Sequence, residues 1–145
     1  MKNIAIIGCT SKKKGYACTA IELYQESPFF CKELKYAREV IKASKLYILS
    51  AKHHLIHESI LIEPYNTTLV GMPKAERVSW AQIVLSQIYE TFDPCEDRLY
   101  FLCGKRYYEY LEPELIKNSY QYDIPLKGIG GIGKQLHWLD LQTND

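Results

Sequence analysis

The sequence predicts an α/β domain of three layers, with helices on both faces of a four-stranded, mainly parallel sheet. Two observations predict this fold class. Short apolar runs typical of buried strands alternate with longer segments in which apolar residues recur at helical spacing. The chain of 145 residues also has no internal repeat, low-complexity tract or linker, so we expect one domain over residues 1–145.

Four apolar runs are the predicted strands: residues 3–8, 45–50, 97–103 and 120–124. The first is continuously apolar up to its terminal glycine, the pattern of a strand buried on both faces. Strands that alternate with helices are joined by right-handed crossovers, so their carboxyl ends meet at one edge of the sheet.

Helix starts and apolar stripes define the predicted helices. Ser27 is suited to cap a helix with Pro28 at its first position, and an apolar stripe follows: Phe30, Leu34, Ala37 and Ile41. Pro73 opens a second long helix with the stripe Ala81, Val84, Leu85, Ile88 and Phe92. Shorter helices are predicted over residues 19–26, 105–111 and 134–141.

Four loops follow the predicted strands at their carboxyl ends: residues 9–17, 51–66, 104–107 and 125–133. In sheets of this class, ligands bind outside the carboxyl ends of the strands. Most of the unusual polar residues of the sequence also fall in these loops. We therefore expect the functional site at this edge of the sheet.

Composition favours a cytoplasmic protein. No apolar run approaches the roughly 20 residues that a membrane span requires, and the apolar run near the start is too short for a signal peptide. The five cysteines are an odd number without a CxxC pair, which favours reduced thiols over a disulfide framework. We expect no metal site, and we expect Cys31 and Cys103 in the core.

The charges are unevenly distributed along the chain. The net charge is +1, from 18 Lys and Arg against 17 Asp and Glu. Residues 1–58 hold ten basic and five acidic residues, whereas residues 59–145 hold eight and twelve. This asymmetry fits either one positive face for a phosphate-bearing partner or a solvated lysine-rich surface.

The first loop carries a thiol, hydroxyls and ammonium groups directly after a strand. Cys9, Ser11, Lys12 and Lys13, together with loop N–H groups, are suited to bind an anion such as phosphate or carboxylate. Cys9 is either a nucleophile near a cation or a packed thiol. The lysines are either ligand contacts or solvated surface.

The second loop begins with Ser50, Lys52, His53 and His54. Histidine is suited to acid–base catalysis or to recognition of a nucleobase near neutral pH. Adjacent histidines project in different directions, so at most one is expected to face the site.

Further along the same loop, Glu63, Tyr65 and Asn66 place a carboxylate, an aromatic ring and an amide within four residues. Glu63 is a candidate to position water or to stabilise a developing cation, and Tyr65 is a candidate to stack on a base. The alternative is a packed turn.

Gly128, Gly130 and Gly133 formally fit the pattern GxGxxG. A dinucleotide site also requires a neighbouring strand and an acidic residue about 20 positions further on. This part of the sequence has neither. We therefore expect a tight turn before the last helix and no cofactor.

Four short blocks carry a resemblance to known proteins. They are Cys9-x-Ser11-Lys12-Lys13, Ala20-x-x-Leu23-Tyr24-x-x-Ser27-x-Phe29, Leu49-Ser50-Ala51-Lys52-x-x-Leu55 and Glu63-Pro64-Tyr65-Asn66-x-Thr68-Leu69. Together they resemble a family of small uncharacterised bacterial and phage domains. The later blocks are similar to segments of the YaaA peroxide-stress proteins, and the first is similar to a motif of archaeosine synthase. His54 stands where these relatives carry glycine.

The resemblance implies a uracil-DNA-glycosylase-like fold and an association with nucleobases or DNA. It also implies a set of site residues: Cys9, Lys12, Lys13, Ser50, Lys52, Glu63 and Tyr65. The catalytic motifs of uracil-DNA glycosylases have no literal counterpart in this sequence, so their residue roles do not transfer.

The expected function is that of an enzyme acting on a nucleobase in DNA, most concretely a glycosylase that excises a modified base in defence against phage. Lys12 and Lys13 would hold phosphate. Tyr65 would stack on an extruded base, and His53 or His54 would bond its edge. Glu63 would orient water or stabilise the oxocarbenium-like sugar.

Three alternatives stay open. One is a base-modifying transferase resembling archaeosine synthase, one is a non-enzymatic DNA-binding stress protein resembling YaaA, and one is an enzyme acting on free nucleotides. DNA is the expected partner, no membrane is expected, and the sequence leaves the oligomeric state undetermined.

Overall fold

The structure is a computed structural model that describes residues 1–143, so the last two residues of the predicted domain lie outside the described part. The strands in chain order are β1 (Lys2–Gly8), β2 (Cys18–Thr19), β3 (Lys45–Ser50), β4 (His54–His57), β5 (Leu61–Ile62), β6 (Asp97–Leu102) and β7 (Gln121–Asp123). The α-helices are α1 (Ala20–Leu23), α2 (Pro28–Tyr36), α3 (Lys74–Thr91), α4 (Lys105–Tyr108), α5 (Glu112–Lys117) and α6 (Ile132–Thr143). A π-helical turn over Ala37–Ile41 extends α2.

The main sheet has the strand order β4–β3–β1–β6–β7. β3, β1, β6 and β7 run parallel, and β4 pairs antiparallel with β3. The α/β class and the mainly parallel sheet are therefore confirmed. From β1 the chain turns toward β3, and from β6 it turns toward β7, so the loops after these two adjacent strands leave in opposite directions. That divergence creates a crevice between their carboxyl ends.

The predicted number of strands is wrong, because the sheet has five and not four. The additional strand, β4, lies inside residues 51–66, which were expected to form a loop. The chain reverses just before it, and His54 adopts a φ of +63°, the left-handed conformation that favours glycine. No Asn-Gly or Asp-Gly pair announces this reversal, so the sequence carries no hairpin signal there.

The helices pack on both faces of the sheet, over two separate hydrophobic clusters. Ile4 and Ile6 of β1 join the cluster under α3 and α5, while Ala5 and Ile7 join the cluster under α2 and α6. All four side chains are at most 1% exposed. β1 is therefore buried on both faces, as its continuous apolar run predicts.

The predicted start and stripe of α2 are confirmed. The Ser27 hydroxyl accepts the N–H of Phe30 at 3.3 Å, and Pro28 is the first helical residue. The four stripe residues are buried: Phe30, Leu34, Ala37 and Ile41. Within residues 1–143, no helix is long and apolar enough to span a bilayer.

The cysteines of the described chain are all free thiols, and two were expected in the core. Cys103 is buried there, as predicted. Cys31 is exposed, and its thiol donates to the carbonyl of Gln25 at 3.2 Å. The prediction for Cys31 is wrong because the buried face of α2 is filled by its neighbours at positions 30, 33 and 34.

One buried side chain of α2 is a carboxyl group. Glu33 is 1% exposed, and its Oε2 has no hydrogen-bond partner within residues 1–143. Burial raises the pKa of Glu33 well above its ordinary value. The folded chain therefore holds the Glu33 proton to a higher pH than the unfolded chain does.

This burial predicts how the stability of the fold changes with pH. The stability contributed by protonated Glu33 is complete below the unfolded-state pKa, about 4.3, and is lost as the pH rises toward the raised folded-state pKa. Glu33→Gln should therefore stabilise the fold relative to wild type, by an amount that grows with pH by at most ~1.4 kcal/mol per pH unit. Urea unfolding between pH 4.5 and 8.5 measures this difference.

Glu39→Gln is the matched control, because Glu39 is exposed in the adjoining π-helical turn. Its free energy of unfolding should follow that of wild type at every pH. A stability difference for Glu33→Gln that stays constant with pH would contradict the raised pKa.

Candidate functional site

The crevice between the ends of β1 and β6 is closed by a thiol and a phenol. Cys9 follows β1 directly, and its Sγ lies 3.1 Å from the hydroxyl of Tyr107 in α4. The backbone N–H of Ala51 donates to the same sulfur at 3.4 Å. The two strands approach so closely here that a Cβ at Gly8 would lie 2.9 Å from the Cβ of Cys103. Because glycine has no Cβ, position 8 lets β1 lie this close to Cys103.

A cavity of about 450 Å³ opens above these groups, and we call it the Cys9 pocket. Its volume lies within the range of small-molecule sites. Its lining comes from the loop after β1, the segment after β5 and α4: Cys9, Thr10, Ser11, Lys13, Asn66, Thr67, Thr68, Val70 and Tyr107. The lining offers hydroxyls, an amide, a thiol and one ammonium group, and none of these residues is a carboxylate.

Lys13 supplies the positive charge of the Cys9 pocket. Its Nζ lies 4.6 Å from the ring centre of Tyr65 and 5.9 Å from that of Tyr24. Burial lowers the pKa of Lys13, and the nearby Cys9 thiol offsets part of that shift. A half-buried cation without an adjacent carboxylate is suited to receive an anion.

Beneath Lys13 lies a chain of three buried hydroxyls. The hydroxyl of Tyr65 is 2.7 Å from Ser50 Oγ and 2.5 Å from the hydroxyl of Tyr24. Ser50 Oγ also accepts the backbone N–H groups of Lys52 at 3.2 Å and His53 at 2.9 Å. Burial raises the pKa of both tyrosines, so both phenols stay protonated.

The two histidines project to different sides, as expected for adjacent residues. The ring of His53 meets that of Tyr65 edge-on at 5.4 Å, and its buried Nε2 has no partner in the described chain. Burial and the charge of Lys52 lower the pKa of His53. His54 instead stacks on Trp80 at 6.5 Å and lines a separate groove outside the Cys9 pocket.

The structure brings together part of the predicted site. Four predicted residues line the pocket: Cys9, Ser11, Lys13 and Asn66. Three more lie beneath or beside it: Ser50, Tyr65 and His53. Tyr65 is only 8% exposed under the Lys13 side chain, so its ring supports a cation and is not a free surface for a base.

Glu63 does not join this group. Its side chain is exposed after β5, lies outside the pocket lining and makes no hydrogen bond or ion pair with residues 1–143. The placement gives Glu63 no contact with the pocket through which it could act on a bound substrate. The sequence suggested Glu63 because carboxylates commonly act in catalysis, but the direction in which its side chain points depends on tertiary packing.

Several site residues were not predicted. Tyr24 and Tyr107 are the most important, because they complete the hydroxyl chain and contact the Cys9 sulfur. Tyr24 falls within one of the blocks that carry the resemblance, which was the available signal. Tyr107 stands beside Lys105 and Arg106, a basic and aromatic cluster typical of nucleic-acid sites as well as of packing.

Four further cations follow strands that end at the same edge of the sheet as the pocket, and we call them the basic edge: Lys12, Lys52, Lys105 and Arg106. All four are exposed, follow β1, β3 or β6 at the carboxyl ends, and form no ion pair within the described residues. Glu109 lines a separate cavity with Lys105 and Arg106, but its carboxylate pairs with Arg77.

A larger cavity of about 560 Å³ lies between α3 and α5, with Leu85, Tyr89 and Pro113 in its wall. It contains none of the predicted site residues. The Cys9 pocket is therefore the candidate site because of the side chains that line it and not because of its volume. Within residues 1–143, no three His, Cys, Asp or Glu side chains are grouped closely enough to hold a metal ion.

Residues 4–141 match the sequence model of a family described only as one of unknown function, DUF6884. The chain belongs to this family. No curated protein and no solved structure matches the chain. The matched residues include all those that line the Cys9 pocket.

Proposed function

We propose that the chain is an enzyme that acts on a nucleobase in DNA, with the Cys9 pocket as its site. The supporting observation is that a cation, hydroxyls and an amide line one cavity at the divergence of β1 and β6, without a carboxylate. Such a lining selects a ligand that is anionic and rich in hydrogen-bonding atoms. A nucleotide unit has both properties.

The fold and the basic edge support the same class of partner. Helices on both faces of a mainly parallel sheet are compatible with the uracil-DNA-glycosylase-like fold that the resemblance implies. The basic edge adds exposed cations at the carboxyl ends of the same strands, and a DNA backbone would neutralise them. An extruded nucleotide would enter the pocket while its flanking phosphates lie along the basic edge.

The reaction we propose is hydrolysis of the N-glycosidic bond of a modified base. The bond from C1′ to the base breaks and its electron pair leaves with the base. Water adds to C1′, and the proton that this water loses passes through solvent to the departing base. Lys13 would stabilise the negative charge that develops on the departing base, and the Asn66 amide would bond the base edge. This assignment moves the chemistry from Glu63 to the pocket cation.

An abasic-site assay on phage DNA with modified bases tests this reaction. Lys13→Met should lower the rate of base release by about 10²–10³-fold, the usual loss when one electrostatic donor is removed. Lys14→Met is the matched control, because Lys14 pairs with Glu26 and lies outside the pocket lining. Glu63→Gln should keep most of the wild-type rate.

Two results of this assay would contradict the proposal. One is a wild-type chain that releases no base from any modified DNA in the panel. The other is equal activity of the Lys13→Met and Lys14→Met variants, which would leave the pocket cation without a role.

The basic edge predicts salt-dependent DNA binding. A double variant, Lys105→Ala with Arg106→Ala, should bind duplex DNA more weakly, and log K should fall less steeply with log salt, by about 2 in slope. Lys2→Ala with Lys45→Ala is the control, because both lysines are exposed at the amino ends of their strands. Fluorescence anisotropy over a salt series measures both slopes. Equal slopes for the two double variants would exclude the basic edge as the DNA surface.

A second candidate is a base-modifying transferase, and the position of Cys9 favours it. The Cys9 thiol opens into the pocket and has the N–H of Ala51 and the hydroxyl of Tyr107 beside its sulfur. A thiol at the pocket wall, with its sulfur accepting one N–H, is suited to act as a nucleophile. A lysine-like amine would be the donor substrate.

Mass analysis of nucleosides after incubation separates this candidate from the glycosylase. A transferase would add mass to a base, and Cys9→Ser should abolish that gain, whereas Cys31→Ser, which changes an exposed thiol, should not. Base release that persists in Cys9→Ser would instead favour hydrolysis.

A further inference from the structure

The hydroxyl chain beneath Lys13 has a fixed direction at one end. Ser50 Oγ has two lone pairs, and the backbone N–H groups of Lys52 and His53 occupy both. The Ser50 hydrogen must therefore be donated, and the hydroxyl of Tyr65 at 2.7 Å receives it. This donor–acceptor order fixes the position of the Tyr65 hydroxyl relative to the turn after β3.

Tyr24 fixes the other end of the chain. Its hydroxyl is 2.5 Å from that of Tyr65, its ring lies 5.4 Å from the ring of Phe30, and the residue is 0% exposed. A tyrosine held at both its ring and its hydroxyl has little freedom to move. The Tyr65 ring is consequently held between Ser50 on one side and Tyr24 on the other.

These two rings hold the Lys13 ammonium more than its hydrogen bonds do. Within residues 1–143, the ammonium donates one long hydrogen bond, to the carbonyl of Ser11 at 3.4 Å. Its distances to the rings are 4.6 Å for Tyr65 and 5.9 Å for Tyr24, both within cation–π range. These two cation–π contacts hold the Lys13 ammonium at the pocket wall.

We propose that Tyr24 is a positioning residue for Lys13: through its hydroxyl it orients the Tyr65 ring, and both rings hold the ammonium in the Cys9 pocket. The proposal adds a residue that is not part of the pocket lining and does not contact the substrate. It rests on the proposed function in one respect, namely that Lys13 is the cation that contacts the substrate.

The test follows Lys13 directly. Tyr24→Phe and Tyr65→Phe keep each ring and remove one hydroxyl. Loss of either hydroxyl should release the ring and let the ammonium move into solvent, so the burial that lowers the pKa of Lys13 is lost. Limited acetylation across a pH series, with the Lys13 peptide quantified by mass spectrometry, should show its midpoint moving to higher pH in both variants. A midpoint reports the pKa and does not depend on how accessible the amine is.

Tyr16→Phe is the matched control, because Tyr16 is exposed and its ring lies 6.0 Å from the neighbouring Lys14. It should leave the Lys13 midpoint unchanged. An unchanged midpoint in Tyr24→Phe, with cooperative unfolding intact, would overturn the proposal. If Tyr24→Phe does not fold, an unchanged Lys13 midpoint in Tyr65→Phe would overturn the proposal instead.

The midpoint can be read whether or not the chain releases a base. If wild type is active, Tyr24→Phe should lower kcat with little change in KM, since the residue does not contact the substrate. If wild type is inactive on every substrate, the glycosylase proposal fails while the Lys13 midpoint still decides the role of Tyr24.

Discussion

The side chain of Ser50 connects the turn after β3 to the pair of buried tyrosines. Its oxygen accepts the two N–H groups of the turn that reverses the chain after β3, and its hydrogen is donated to Tyr65. The backbone carbonyl of the same residue accepts the indole N–H of Trp80 from α3 at 3.0 Å. A buried donor left without a partner costs about 1–3 kcal/mol, so the turn and the tyrosine pair depend together on one hydroxyl group.

This arrangement explains how the chain tolerates a half-buried cation. Lys13 has no carboxylate in its pocket, and burial works against its charge. The faces of two tyrosine rings compensate in part, because a ring face attracts a cation without itself carrying a charge. The pocket consequently keeps a net positive character that a paired lysine, such as Lys14 beside Glu26, would lose.

The sequence was most informative where local chemistry decides structure. The Ser27 cap, the stripe from Phe30 to Ile41 and the strand ends are set by backbone geometry and spacing, and these predictions hold. The site loops followed from topology, which brings the ends of parallel strands to one edge. Strand β4 was missed because its turn is stabilised by a serine side chain and a left-handed histidine, and neither is a standard hairpin signal.

The direction of individual side chains was beyond the sequence. Glu63 and Tyr65 are two residues apart, yet one is exposed and the other is 8% exposed under Lys13. Glu33 lies on the buried face of α2 next to Leu34, and only the packed structure shows that this face includes a carboxyl group. Such placements depend on contacts between residues far apart in the chain.

Trp80 packs beside the turn after β3, where it contacts Ser50 and His54. Its ring faces Tyr107 at 5.6 Å and His54 at 6.5 Å, and Tyr107 in turn contacts the Cys9 sulfur. The only other tryptophan, Trp138, packs against Tyr36 over the opposite face of the sheet. The molecule thus contains one indole chromophore adjoining the pocket wall and a second that serves as an internal reference, so its own emission spectrum can distinguish events at the pocket from changes in the fold as a whole.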